Sequence, residues 1–272
     1  MKKASKLAMR IMDYLTELTA KGMAYFTKAD IEQTLATSPR AIQPTLWRLK
    51  QKHIIAEPVR GFYLNITPEY RILGCLPPDH FIDSLMRYLK IPYYIGLLSA
   101  AEYHGASHHK PQQFQVILPQ AHRPIRCGEV SIAFINKKHM ENTPTQTFTA
   151  PQGSITVSTA EATAMDLVSY PHRSGGMENV LTVLSELTEA MNPNALAQLA
   201  KQATHNITWI QRLGFLLDTL QASHLSDVLF EALKQYKPQK ALLIGSNYHK
   251  NAPNTYNTKW KLIINAELEL EL

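Results

Sequence analysis

The sequence predicts an α+β protein in two parts: a small basic N-terminal domain (residues 1–70) and a larger mixed α+β C-terminal domain (residues 71–272). Three observations predict it. Apolar residues make up 45% of the 272, enough to bury more than one core and to exclude wholesale disorder. Helical apolar spacing and strand-like runs both occur along the chain, in no repeating order. The charge is lopsided: residues 1–70 hold 11 Lys/Arg against 6 Asp/Glu, a net of +5. Residues 71–272 hold 17 against 16, only +1 of the total of +6.

In the basic part, Leu7, Ile11, Tyr14, Leu15 and Leu18 recur at helical spacing, so residues 5–20 read as an amphipathic helix that Gly22 ends. Thr27, with Asp30 three residues on, opens a short second helix. Ser38-Pro39 starts a third: the serine oxygen caps free N–H groups, and proline at the first helical position loses no hydrogen bond. This helix runs through RAIQPTLWRLKQK, with Pro44 beyond its first turn removing one bond. Ile54–Ala56 and Phe62–Leu64 then flank a turn at Arg60-Gly61, a strand–turn–strand.

Helix, short helix, tight turn, helix and β-hairpin is the element order of a winged helix-turn-helix. On the third helix, at about 100° per residue, Ile42, Leu46 and Leu49 share one face. Arg40, Trp47, Arg48 and Gln51 take the opposite face, with Gln43 at its margin. Arg pairs with guanine and Gln with adenine in the major groove, while Ser38, Lys50, Lys52 and the wing tip at Arg60-Gly61 suit phosphates. Trp47 either joins this DNA face or covers a contact with the second domain; Lys2, Lys3 and Lys6 are a basic terminus.

The remainder is near neutral. Asp79 is expected to cap a helix reaching Lys90, and Pro92 to open another through His104, with Gly105 at its C-cap. Strand-like runs follow at Phe114–Leu118, Val130–Ile135 and Ser154–Ser158. Ser158 and Glu161 have the spacing of a capping box for the helix TAEATAMDLVSY. Helical patterns fill residues 177–236, a strand is expected over Lys259–Asn265, and an alternating Glu-Leu tail closes the chain.

No catalytic residue, metal site or cofactor is assigned. His104, His108 and His109 lack a Cys or carboxylate partner at ligand spacing. Arg173-Ser174-Gly175-Gly176 lacks the lysine and spacing of a phosphate loop. Glu161 and Asp166 lie about 140° apart around their helix, too far round to act as paired carboxylates. Two cysteines, Cys75 and Cys127, make no disulfide framework and no CxxC pair. With no apolar run of membrane-spanning length and no signal-peptide pattern, a soluble protein of the reducing cytoplasm is expected.

Several segments together resemble the AbiEi antitoxins of abortive-infection toxin–antitoxin systems. They are RGFYL (60–64), PYYIGLLSAAEYHG (92–105), VSTAEATAMDLV (157–168), QRLGFLL (211–217) and WKLIIN (260–265), in the family's order over about residues 5–265. Pro44 and the Glu-Leu tail depart from it. The resemblance implies a non-enzymatic transcriptional autorepressor and antitoxin that binds double-stranded DNA at inverted repeats in its own promoter. It further implies a nucleotidyltransferase-like toxin as functional partner, countered in the type IV manner without requiring a stable complex, in defence against phage. The residues alone leave two rivals open: a winged-helix transcription factor with a small-molecule-sensing C-terminal domain, and a nucleic-acid-processing enzyme with a winged targeting domain.

Overall fold

The computed structural model describes residues 2–106, 111–203, 206–245, 255–266 and 268. His108, His109 and nearly all of the Glu-Leu tail lie outside the described residues. The class is α+β, and the chain forms two compact units. The first takes Met1–Tyr94, Gln112–Met140 and Thr147–Thr156; the second takes Ile95–Pro111, Glu141–Gln146 and Val157–Leu272.

The first unit begins with α1 (Lys2–Ala20), β1 (Tyr25–Thr27), α2 (Lys28–Leu35), α3 (Pro39–Gln51), β2 (Ile55–Val59) and β3 (Phe62–Asn65). The apolar stripes expected of the three helices meet: Ile11, Leu15, Leu18, Ile31, Leu35, Ile42, Leu46 and Leu49 form one core with Phe26, Ile55 and Tyr63. Thr27 closes a full capping box with Asp30, as its spacing predicts. β1 was not expected. It pairs antiparallel with β3, which pairs antiparallel with β2, so a three-stranded sheet of order β1-β3-β2 closes the core. Phe26 and Tyr63 stack across that pairing, ring centroids 5.3 Å apart.

Beyond it, α4 (Ile82–Leu89) starts at Ile82 rather than at an Asp79 cap, because Pro78–His80 turns as a separate 3₁₀ segment. The unit also holds β5 (Phe114–Leu118), β6 (Ile125–Cys127) and β7 (Val130–Asn136), with residues 147–156. β5 pairs parallel with β7, and β6 antiparallel with β7. Their apolar runs are buried, including Val116, Ile117, Leu118 and Ile132.

β4 (Tyr94–Ile95) leads into the second unit and corrects the helix expected from Pro92. Ile95 pairs in parallel with Val157 of β9 (Gly153–Ser158), which follows β8 (Thr145–Ala150). Long-range pairing overrides local helix propensity here, and α5 (Leu97–Tyr103) begins five residues later than Pro92. Its end matches expectation: Gly105 has φ +77°, and Ala106 N–H donates back to Ala101 O at 2.9 Å. The central helix is α6 (Ala160–Ser169), with α5, α7 (Met177–Leu187), α8 (Pro193–Lys201) and α9 (Thr208–Thr219) packed against it. Enclosed on so many sides, α6 buries Ala160, Ala162, Ala164, Leu167 and Val168 together with the polar Glu161, Thr163 and Asp166.

The expected Ser158–Glu161 capping box is not made. Thr159 is the N-cap, its hydroxyl accepting from Ala162 N–H at 3.3 Å. Ser158 Oγ instead meets Thr163 Oγ1 at 2.7 Å, and Glu161 accepts from the Asn192 N–H at 2.7 Å. α10 (Ser223–Leu233) packs on α8 and α9. A last sheet has order β10 (Ala241–Leu242), β12 (Leu262–Ile264), β11 (Thr255–Asn257). Its closing strand is shorter than Lys259–Asn265 predicts, because Lys259 and Trp260 turn away to reach Asp218.

Candidate nucleic-acid interface

The face of α3 turned from the core is exposed at Arg40, Gln43, Pro44, Trp47, Arg48 and Gln51, while Ile42, Thr45, Leu46 and Leu49 are buried. The division is the one drawn by the helical wheel. Trp47 stands 59% exposed among these polar groups. Pro44 lies inside α3, yet the helix continues to Gln51. Ser38 occupies the N-cap position, but its hydroxyl makes no capping bond, contrary to expectation. Its carbonyl does the work instead, accepting from Ala41 and Ile42 N–H at 3.0 and 3.3 Å. The Ser38 side chain is therefore left exposed beside Arg40 at the start of the helix.

Gly61 turns β2 into β3 with φ +85°, a conformation that L side chains rarely adopt. A Cβ there would also meet the Tyr88 hydroxyl at 2.9 Å. Tyr88, from α4, supports the turn from beneath: its hydroxyl donates to Arg60 O at 3.2 Å, and its ring tilts against Phe62 at 5.4 Å. Arg60 projects exposed from the tip.

Glu57, which sequence reasoning passed over, ties the turn to α3. One carboxylate oxygen accepts from Lys50 Nζ at 2.5 Å and the other from Gly61 N–H at 3.1 Å. Partial burial works against its ionisation, but the bonds from Lys50, Gly61 and Tyr63 outweigh this and hold its carboxyl below the ordinary value. The only available signal was an acidic residue three positions before a basic turn. Lys50 is thus half-buried and engaged, whereas Lys52 is exposed. Gln43, Glu57, Arg60, Gly61 and Tyr88 share one open groove of about 780 Å³ with Thr27, Lys28 and Glu32 of the α2 start. The structure therefore gathers Gln43 with Arg60-Gly61 around the groove, and sets Arg40, Arg48 and Gln51 along α3.

Elsewhere, candidate chemistry resolves into packing. His104 Nε2 lies 2.8 Å from Ser158 O, and among the described residues no group of His, Cys, Asp and Glu is arranged to hold a metal. In the loop at Arg173–Gly176, Gly176 N–H donates to Pro171 O at 2.9 Å and Ser174 O accepts from the Asn179 amide at 2.7 Å. That backbone is spent on the loop itself. No described helix is long and apolar enough to cross a membrane.

Comparison with known proteins bears on the second half of the chain. A family model for the AbiEi antitoxin C-terminal domain matches residues 94–219. Residues 94–219 are thus similar to the C-terminal domain of the AbiEi antitoxins. The segments quoted for the resemblance at 157–168 and 211–217 lie within the match. From the matched stretch the Gln211 amide donates to the carbonyls of Gln239 and Trp260 beyond it, both at 2.9 Å. Arg212 donates to Leu242 O and Val168 O at 3.0 and 3.2 Å. Among solved structures, the RV2827C protein from Mycobacterium tuberculosis is similar at 17% identity, TM-score 0.68, over 95% of this chain and 91% of that one. At that identity the likeness is one of fold. An antigenic nucleotidyltransferase-like protein from Paracoccidioides brasiliensis aligns at 11% identity over 54% of this chain and 88% of that one, with a TM-score of 0.34, too low to speak for a common fold. No curated protein matches the chain.

Proposed function

We propose that this chain is an antitoxin and also a DNA-binding autorepressor, acting on inverted repeats in its own promoter and countering a nucleotidyltransferase-like toxin in the type IV manner. The observation that carries the proposal is the outer face of α3, where two arginines and two glutamines stand exposed around Trp47 while Ile42, Leu46 and Leu49 turn inward. Three helices closed by the β1-β3-β2 sheet support a winged helix-turn-helix reading of residues 1–70, with residues 71–272 as the antitoxin part. In this reading α3 enters the major groove. Arg40, Arg48, Gln43 and Gln51 approach base edges, and Ser38, Lys52 and the Arg60-Gly61 tip meet phosphates. Lys50 is held by Glu57 and contributes mainly by fixing the wing against the helix.

Nothing in this reading requires a cofactor or a catalytic group, and the AbiEi match supports a regulator rather than an enzyme. The test is a gel-shift titration of the chain's own promoter with the Arg40→Ala, Arg48→Ala, Arg60→Ala triple variant. All three side chains are exposed, so the fold should survive, and promoter binding should be lost at concentrations that saturate the unaltered protein. Undiminished affinity would remove the DNA assignment. Growth rescue on co-expression with a neighbouring nucleotidyltransferase-like gene tests the antitoxin half separately.

A further inference from the structure

Cys75 and Cys127 are the two cysteines of the sequence, far apart along it, and both lie in the first unit. They meet because two glycine turns cross. Glu129 N–H donates to Leu73 O at 2.8 Å, and a Cβ on Gly128 would sit 2.0 Å from that same oxygen and 2.8 Å from the Gly74 carbonyl carbon. Gly74 and Gly128 have φ +65° and +56°, so both the close approach and the backbone conformation call for glycine. The residue after Gly74 and the residue before Gly128 are thereby set side by side. Both thiols are free and buried, and each is the largest influence on the other's ionisation.

The surroundings connect this pair to the candidate interface. Cys127 ends β6, which packs on β2. The backbone N–H of Glu57 favours the Cys127 thiolate, and Glu57 is the residue whose carboxylate holds both Lys50 of α3 and the Gly61 amide of the turn.

We propose that Cys75 and Cys127 form a reversible intrachain disulfide, and that the state of this bond is transmitted through Glu57 to the β2–β3 turn and α3. The oxidant would be a peroxide, small enough to reach Cys127, which is buried but keeps 9% of its surface exposed. The Cys127 thiolate attacks one peroxide oxygen; the O–O bond breaks, leaving a sulfenic acid and a hydroxide that takes up a proton as water. The Cys75 sulfur then gives up its proton and attacks the Cys127 sulfur. The S–O bond breaks and a second water leaves. Two thiols and one hydrogen peroxide become one disulfide and two waters, and a dithiol reductant reverses the step.

The roles follow the local electrostatics. The hydrogen bond from Cys75, the Glu57 N–H and the Lys50 charge together hold the Cys127 thiol below its ordinary value against the effect of burial. The same mutual bond, with burial, pushes Cys75 far up. Cys127 is therefore the attacking sulfur and Cys75 the resolving one.

The test uses the full chain treated with rising hydrogen peroxide, then denatured, labelled with a thiol reagent and weighed. Both thiols should disappear together with loss of two hydrogens in mass, and return with dithiothreitol. The Cys75→Ser variant should instead stop at a peroxide-derived oxygen adduct on Cys127. Persisting label on both thiols, sulfinic acid without a bridge, or only interchain dimers would overturn the disulfide. Transmission is read by hydrogen exchange at the Gly61 amide, expected to quicken in the oxidised form; equal exchange in the two forms overturns it. The consequence for DNA rests on the proposed function: promoter affinity should weaken about tenfold on oxidation. Reduced protein that fails to bind promoter would refute the DNA reading instead, leaving the bridge to be judged by mass and the transmission by exchange.

Discussion

Helices α3 and α9 are of similar length, and each carries a conspicuous run of residues, RAIQPTLWRLKQ in one and TWIQRLGFLLDT in the other. They use their polar residues in opposite ways. On α3 the Arg and Gln side chains stand in solvent and nothing in the first unit's core depends on them. On α9 they point inward. Gln211 binds backbone carbonyls of the C-terminal segment, Arg212 spans from β10 to the end of α6, and Gly214 leaves room for the Trp260 ring. A Cβ at position 214 would lie 2.2 Å from that ring. A family signature can therefore mark how a domain is packed, whereas a functional face can consist of residues that the fold does not need.

The largest test of that contrast falls on Trp260. It is fully buried, its indole N–H donates to Asp218 at 2.7 Å, and Phe230 meets it edge-on. Trp260→Ala should lower stability by about 3–5 kcal/mol, read from the urea midpoint, because the cavity cannot collapse around Gly214 and the Asp218 carboxylate loses a donor. A loss below about 1 kcal/mol would mean that the signature on α9 is not a packing motif, and the contrast would fail.

The opposite behaviour is expected of Arg48. Arg48→Ala should change stability by no more than about 0.5 kcal/mol while weakening specific promoter binding by about 1–3 kcal/mol. Paired denaturation and gel-shift titrations of one preparation separate the two. A destabilised variant with unchanged promoter affinity would make the α3 face structural after all.

The same contrast explains what could be read from the residues in advance. Local rules placed the three helices of residues 2–65, because the Thr27–Asp30 box and the apolar stripe of α3 depend on neighbours a few positions away, but they missed β1 and the Ser38 side chain that makes no cap. They failed where distant segments decide the outcome. Tyr94-Ile95 continues a helical apolar pattern, but Val157 offers Ile95 a strand partner. Ser158 has a capping-box spacing to Glu161, but Asn192 takes the carboxylate and Thr159 takes the cap. Of the interface, the exposed Arg and Gln positions followed from the helical wheel, because exposure on an amphipathic helix is a matter of angle alone. The roles of Glu57 and Tyr88 did not, since both depend on the β2–β3 turn folding back against α3 and α4. Nor could spacing reveal that Cys75 and Cys127 are neighbours.

The smallest expected effect asks whether charge or shape joins the turn to α3. The Glu57 carboxyl is held below its ordinary value in the folded chain, so the folded state binds its proton less readily than the unfolded one. Its contribution to stability is therefore fully present above the unfolded value and is lost as pH falls through the lower, folded value. Glu57→Gln keeps the shape and removes the charge. At neutral pH it should cost less than about 1 kcal/mol, because Lys50 and Glu57 are partly solvated and screened. The gap to the unaltered protein should close in acid, once Glu57 itself is protonated. Urea denaturation across the acidic range measures this directly. A gap that stays constant with pH would show that Glu57 fixes the Gly61 turn by packing and neutral hydrogen bonding, with Lys50 incidental. A closing gap would show that the β2–β3 turn is electrostatically latched to α3, and the same variant should then quicken exchange at the Gly61 amide.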